Sequence, residues 1–288
     1  MSDKLGFQEY YHYDDEELQS RSPVPLTIVE SDIDLYYHMA LDLHDFIARR
    51  NEEGKSATAI LPVGPVFQYR RFRDLVARNP IDLSGLRCFF MDEYLAPDGS
   101  LIAREHPLSF RGFIEREFAG PLRAQGMLRE NQVHFPDPQD PERYDEEIAS
   151  VGGVGLCHAG VGINGHLAFN EAAKNEIGDP SMSVEDFANL PSRLIELSAE
   201  TRITNSHTAL SGAFEHIPHR AVTVGMRSIL GAERVRVYLN RPWQRSVLRK
   251  ALFEPPTSAF PVTILQNHPH VVFTATEEVR KTPRFVLA

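Results

Sequence analysis

Two stretches of this chain carry residue types that do proton chemistry, at a spacing that suits it. The first reads Gly160-Val161-Gly162-Ile163-Asn164-Gly165-His166-Leu167-Ala168-Phe169-Asn170-Glu171. Its glycines allow a tight turn and a close backbone approach to a ligand, which makes Gly162 and Gly165 binding candidates. His166 exchanges protons near neutral pH, and Glu171, five residues on, is placed to fold back and orient the imidazole. A glycine turn with a capping Asn164 and a surface histidine fits the same residues, and spacing alone does not choose between the two. The second stretch, Phe89-Phe90-Met91-Asp92-Glu93-Tyr94, ends an apolar run in an acidic pair. A partly desolvated Asp92 there suits a general base. Capping of a following turn by Asp92 or Glu93 is equally open.

The elements that must position these residues follow from apolar periodicity. Ser31 and Asp32 start a helix with Leu35, Met39, Leu43 and Ile47 on one face. Compact apolar runs at 57–63, 86–91, 154–159, 235–239 and 271–276 read as buried strands, with 194–197 and 221–224 as further strands. Helices are expected over 69–78, 110–118, 141–148 and 243–253. Strands alternating with helices predict an α/β protein with a mainly parallel, doubly wound, Rossmann-like sheet covered on both faces. Residues 1–24 read as an N-terminal extension, 25–288 as a single α/β domain, and 172–192 as a polar loop or short helical lid. In such sheets ligands bind beyond the carboxyl ends of the strands. That rule singles out Pro62 to Phe67, Asp92 to Tyr94, and Gly160 to Glu171.

Composition narrows the function classes. The 288 residues are 42% hydrophobic and 24% charged, an ordinary balance for a folded domain. With 30 basic against 40 acidic residues, the net charge of −10 argues against general nucleic-acid binding, which needs a basic face. No run approaches the roughly 20 apolar residues of a membrane helix, and the acidic N-terminus lacks the core of a signal peptide. Two isolated cysteines, Cys88 and Cys157, make neither a disulfide scaffold nor a zinc site. A cytoplasmic protein acting on a small molecule is the expectation, with neither nucleic acid nor membrane as partner.

Taken together, the motifs resemble the glucosamine-6-phosphate deaminase/isomerase family and, more distantly, the 6-phosphogluconolactonases. Five segments carry the resemblance in order: Met91 to Tyr94 followed by His106-Pro107-Leu108-Ser109-Phe110, then Gly162 to Glu171, Thr201 to Ser206, Ala221 to Gly225, and Ile264 to Pro269. The likeness runs from about the first helix to the last strand. It implies an aldose–ketose isomerisation coupled to loss of ammonia from a 2-amino sugar. Asp92 would move a proton between C2 and C1, His166 would assist ring opening, and Glu171 would be its acidic neighbour. Many members carry Asp where this chain has Asn164, which supplies no negative charge and leaves that task to Glu171. No metal or cofactor is implied, because the imine-like intermediate delocalises charge itself. Members are often oligomers, so a homo-oligomer is also open.

The resemblance weakens where the family holds the sugar phosphate. This chain reads Leu61-Pro62-Val63-Gly64-Pro65-Val66-Phe67 there: Gly64 is kept, Val63 and Val66 lack hydroxyls, and Pro65 lacks an N–H. His207 stands where an Arg is expected, and the expected Lys falls near Trp243, within Asn240-Arg241-Pro242-Trp243. The ligand is then a non-phosphorylated sugar, or a phosphate held by new cations such as Arg70, Arg71, Arg111 or Arg241. Gly64, Pro65, His207 and Arg241 join the binding candidates. The alternatives are a non-catalytic sugar-binding or regulatory protein on the same fold, and a sugar lactone hydrolase.

Overall fold

The computed structural model describes residues 6–172 and 182–284. Its strands are β1 (Leu26–Val29), β2 (Ala57–Leu61), β3 (Leu86–Phe90), β4 (Asp92–Leu95), β5 (Val133–His134), β6 (Leu156–Gly160), β7 (Arg193–Glu196), β8 (Arg220–Thr223), β9 (Val235–Leu239) and β10 (Val271–Thr276). The helices are α1 (Asp15–Arg21), α2 (Asp32–Glu52), α3 (Gln68–Arg78), α4 (Phe110–Ile114), α5 (Gly120–Ala124), α6 (Pro141–Ser150), α7 (Val184–Ala188), α8 (Ala199–Leu210), α9 (Met226–Leu230), α10 (Gln244–Phe253) and α11 (Glu277–Arg280).

Seven strands form a parallel sheet in the order β1-β10-β9-β6-β2-β3-β5. Successive crossovers run outward from β2 to β3 and β5, then return to β6 and continue to β9 and β10. The direction of winding therefore reverses between β2 and β6, where a crevice opens at the carboxyl edge. Both faces of the sheet are covered. One core gathers Cys157, Ala159, Val237 and Phe273 against α10 residues such as Leu248. The other gathers Leu86, Phe90 and Leu156 against α2 and α3, through Phe46, Ile47 and Phe72. Each fully buried Leu or Phe contributes about 1.5–3 kcal/mol to this packing.

The long helix α2 begins where Ser31 accepts the Asp34 N–H at 3.3 Å, and it buries Leu35, Met39, Leu43 and Ile47, the face read from the spacing. β2 stops at Leu61, short of the expected residue 63, because Pro62 offers no N–H to continue the ladder. The expected helix at 110–118 continues past a π-helical turn at Glu115–Ala119 into α5. Part of the expected loop or lid at 172–192 lies outside the described residues; Val184–Ala188 within it is helical.

One difference from the sequence expectation matters for the site. The strands at 194–197 and 221–224 do not join the parallel sheet. With β4 they form an antiparallel sheet in the order β4-β8-β7. The order β7-α8-β8 mimics a parallel crossover along the chain. However, β7 alternates half-buried Arg193 and Ile195 with exposed Leu194 and Glu196, the pattern of a one-sided antiparallel edge.

Candidate active site

Asp92 owes its position to a strand that changes sheets. At the end of β3, the Met91 N–H donates to the Leu61 carbonyl (3.2 Å), while the Met91 carbonyl accepts from the Val224 N–H (2.7 Å). The chain thus leaves the parallel sheet and enters the antiparallel one across a single residue. Asp92 opens β4 opposite Thr223 of β8. Strand alternation then sends Asp92 and Glu93 to opposite sides.

The two carboxylates have different surroundings. Glu93 is fully buried and accepts from Ser109 Oγ (2.9 Å), Arg111 Nε (3.3 Å) and the N–H groups of Tyr94 (2.9 Å), Phe110 (3.1 Å) and Arg111 (2.9 Å). It anchors the start of α4. Asp92 lines the cavity described below and has no hydrogen-bond partner among the described residues. Burial, and after it the neighbouring charge of Glu93, holds the Asp92 carboxyl well above the usual carboxylate range.

The histidine loop leaves β6 at Gly160 and turns back on itself, with the Gly162 N–H donating to the His166 carbonyl and the Gly165 N–H to the Gly162 carbonyl, both at 3.0 Å. A Cβ on Gly162 would stand 2.0 Å from His166 Cε1, so only glycine fits beneath the imidazole. His166 Nδ1 lies 2.7 Å from Asn164 Oδ1, and Asn164 Nδ2 donates to Glu171 Oε2 at 3.2 Å. The Ser198 N–H also donates to Glu171 Oε2, at 3.0 Å.

This chain sets the tautomer of His166. A carboxylate only accepts, so Glu171 selects the NH2 end of the Asn164 amide and turns its oxygen toward His166. That oxygen also only accepts, so Nδ1 carries the proton. Nε2 keeps its lone pair and has no protein partner among the described residues. Burial lowers the His166 pKa below the ordinary imidazole value, while Glu171 acts in the opposite sense. The ring is therefore neutral near pH 7, with a basic nitrogen available.

Asp92 and His166 line one cavity of about 440 Å³ at the carboxyl edge of the parallel sheet. Gly64, Pro65, Gly162 and Arg241 line it too. A Cβ on Gly160 would stand 2.6 Å from the Gly64 carbonyl, which shows how closely that loop crosses the end of β6. Helix α8 adds a wall of Thr201, Thr204, Asn205 and Thr208. These residues recur every three or four positions and share one helix face.

Several expected contacts are absent. His207 is exposed and does not line the cavity, because it falls about 110° around the helix from the centre of the Thr201–Thr208 face. Gly165 packs behind the loop against the Phe260 ring and does not line the cavity. Asn164 and Glu171 stand behind the cavity wall and act through His166. Of the four arginines considered for a phosphate, Arg70 and Arg71 are exposed away from the cavity, and Arg111 is spent on Glu93 and the Ile102 carbonyl (2.6 Å). Arg241 alone of these lines it.

The sequence reading missed the α8 wall, Asn240 and the bracing around the loop. The Thr223 hydroxyl accepts the Phe169 N–H (3.0 Å), and Asn170 donates to the carbonyls of Leu167 (3.0 Å) and Val224 (2.8 Å). Arg193 donates to Asn170 Oδ1 at 2.6 Å, and burial lowers its pKa to about 10. The polar spacing of α8 was a usable signal; the rest depends on contacts between distant segments. No cluster of three or more His, Cys, Asp or Glu residues suited to a metal ion occurs among the described residues. No described helix is long and apolar enough to cross a membrane.

Comparison with known proteins decides the family. No family model matches the chain. The glucosamine-6-phosphate deaminase of Pseudarthrobacter chlorophenolicus is 30% identical over 215 residues, covering 72% of this chain and 74% of that protein. The chain belongs to the glucosamine-6-phosphate deaminase family. It is accordingly a deaminase-like enzyme of carbohydrate metabolism. The same-named protein of Thermoanaerobacter pseudethanolicus is 24% identical over 251 residues, 84% of this chain and 90% of its own length. In structure, a monomeric glucosamine-6-phosphate deaminase superposes with a TM-score of 0.73 at 20% identity, over 88% of this chain and 98% of its own. The 6-phosphogluconolactonase of Thermotoga maritima reaches 0.62 at 15% identity, over 88% and 99%. These structural likenesses establish the shared fold, and family membership rests on the sequence match.

Proposed function

We propose that the chain catalyses the isomerising deamination of a 2-amino-2-deoxy hexose, with Asp92 as the carbon base and His166 as the base that opens the ring. One observation carries the reading. A poorly solvated carboxylate and an imidazole Nε2, neither with a partner among the described residues, border the same cavity.

His166 Nε2 takes the proton of the anomeric hydroxyl and returns it to the ring oxygen, which opens the sugar with no net proton change. Asp92 removes the C2 hydrogen of the open-chain sugar in its ammonium form. The C–H electron pair forms the C1–C2 double bond, the C1=O π pair moves onto O1, and the ammonium gives O1 a proton, leaving an enolamine. The same carboxyl returns the proton to C1, leaving an iminium at C2. Water adds there and ammonia departs, so aminohexose and water become ketohexose and ammonia. A carboxylate whose pKa is raised is a stronger base once ionised, which suits the abstraction of a carbon-bound proton. Proximity within the shared cavity supplies much of the remaining acceleration.

The cytoplasm as setting is part of the same proposal, supported by the buried, unpaired thiols of Cys88 and Cys157. So is the division into an arm over 1–24 and one α/β domain over 25–288. The arm's Tyr10 hydroxyl donates to Glu254 at 2.6 Å, which ties it to the end of α10.

The test is to incubate aminohexoses with the protein in deuterated water and follow both label and ammonia. Deuterium entering C1 or C2, with ammonia released, is the expected result. The Asp92→Asn variant should lose both, by about 10²–10⁴-fold. Sugar binding without exchange in the wild type would instead make the protein a binding module. Acid release from a sugar lactone would make it a hydrolase.

A further inference from the structure

The end of the cavity away from Asp92 is built around Asn240. Along the carboxyl edge of the sheet the strands run β9, β6, β2, β3. Asn240 follows β9 and Asp92 follows β3, so three strand spacings of about 4.8 Å each separate them. With side chains reaching inward from both ends, that span suits a hexose chain whose C1 and C2 lie at Asp92 and whose C6 lies toward Asn240.

Asn240 is braced rather than free. Its Nδ2 donates to the Tyr36 hydroxyl of α2 at 3.0 Å. Gln244 Oε1 accepts the N–H groups of both Asn240 and Arg241 at 2.9 Å, and Gln244 Nε2 donates to the Val161 carbonyl at 2.8 Å. The turn after β9 is thereby clipped to the start of the histidine loop. Asn240 is only 7% exposed, and it lines the cavity. The other half of its amide has no partner among the described residues and is not sealed off from the cavity.

Little around it suits a dianion. Among the described lining residues Arg241 is the one Arg or Lys, and it is exposed. The facing loop offers Pro62, Val63, Gly64, Pro65 and Val66, none with a side-chain donor and two without an N–H. A phosphate only accepts hydrogen bonds and calls for several cations or N–H groups. A hydroxyl both donates and accepts, which matches the free oxygen and remaining N–H of an amide.

We propose that Asn240, held by Tyr36 and Gln244, is the specificity-determining residue for the substrate's tail, and that this tail is an uncharged hydroxyl rather than a phosphate. The proposal rests on the deaminase reading only for which end of the sugar reacts.

The probes are 2-amino-2-deoxyglucitol and its 6-phosphate, open-chain sugar alcohols that lack the reacting carbonyl. Their binding to the full chain is measured by calorimetry. The free-hydroxyl compound should bind at least as tightly as the phosphate. Asn240→Ala should weaken it about tenfold, and Tyr36→Phe about threefold, as expected for a lost or loosened hydrogen bond. In turnover the Asn240→Ala effect should fall on KM more than on kcat. Phosphate binding tenfold tighter than the free hydroxyl in the wild type overturns the proposal. So does a folded Asn240→Ala protein with unchanged affinities. Should that variant fail to fold, the wild-type comparison of the two compounds still decides the tail. Analogue binding in the expected order without ammonia release would sink the deaminase reading and leave the tail assignment standing.

Discussion

Glu171 governs the protonation of His166 without touching it. The Asn164 amide stands between them, taking the imidazole Nδ1 at 2.7 Å and giving a hydrogen bond to Glu171 at 3.2 Å. An amide has one accepting and one donating end, so the acidic residue dictates which end the histidine meets. In a protein whose His166 faced an aspartate, the carboxylate would stabilise the imidazolium. Here a neutral ring is favoured.

Replacing Asn164 by Asp removes that distinction. Asn164→Asp should raise the pKa of His166, because a carboxylate favours the charged ring. The measurement is an NMR titration of the His166 ring protons. An unchanged or lowered midpoint would show that Asn164 does not control the ring.

The environment of Asp92 has a thermodynamic consequence. Its folded pKa is raised, so as pH rises the unfolded chain releases this proton before the folded one does. The group's contribution to stability is complete below the unfolded value of about 3.9 and is lost as pH climbs through the folded value. Asp92→Asn cannot ionise and should be more stable than wild type in neutral buffer, with no such advantage below about pH 3.9. Paired denaturant melts at the two pH values read this directly.

Gly162 should tolerate no side chain without loss of activity. Gly162→Ala places a Cβ 2.0 Å from His166 Cε1 and must push the ring off its position. A displacement near 1 Å costs roughly a hundredfold in kcat. The ring borders a cavity and has room to move, so the fold should survive. Near-wild-type kcat in this variant would mean that His166 is not held where the chemistry needs it.

Thr223 ties the two halves of the site together, since it pairs with Asp92 across the small sheet and accepts the Phe169 N–H at 3.0 Å. Thr223→Val keeps the shape but strands that buried N–H. The expected cost is about 1–3 kcal/mol in urea unfolding. A stability within error of wild type would remove Thr223 from the bracing of the loop.

Much of this was legible in the chain as written. The apolar runs at 235–239 and 271–276 are strands with those bounds, and α2 buries the face that its spacing marks. Apolar periodicity reports a local property, the side of an element that must leave water, and so it survives without knowledge of neighbours. Asp92 and His166 were singled out because they follow buried strands, and the carboxyl edge of a parallel sheet is shared by every strand in it. The assembly of the site was a different matter. Glu93 resembled Asp92 along the chain, yet it serves as an anchor for α4. His207 lies one residue from Thr208 and faces outward. Asn240 gained a role only when Tyr36, about two hundred residues earlier, came to hold it. Contacts between segments far apart in the chain depend on strand order and helix phase, which single-segment patterns do not encode. Composition and motif order therefore determined that this is an α/β sugar enzyme with a carboxylate and an imidazole at strand ends, and the tertiary structure alone decided which neighbours hold them.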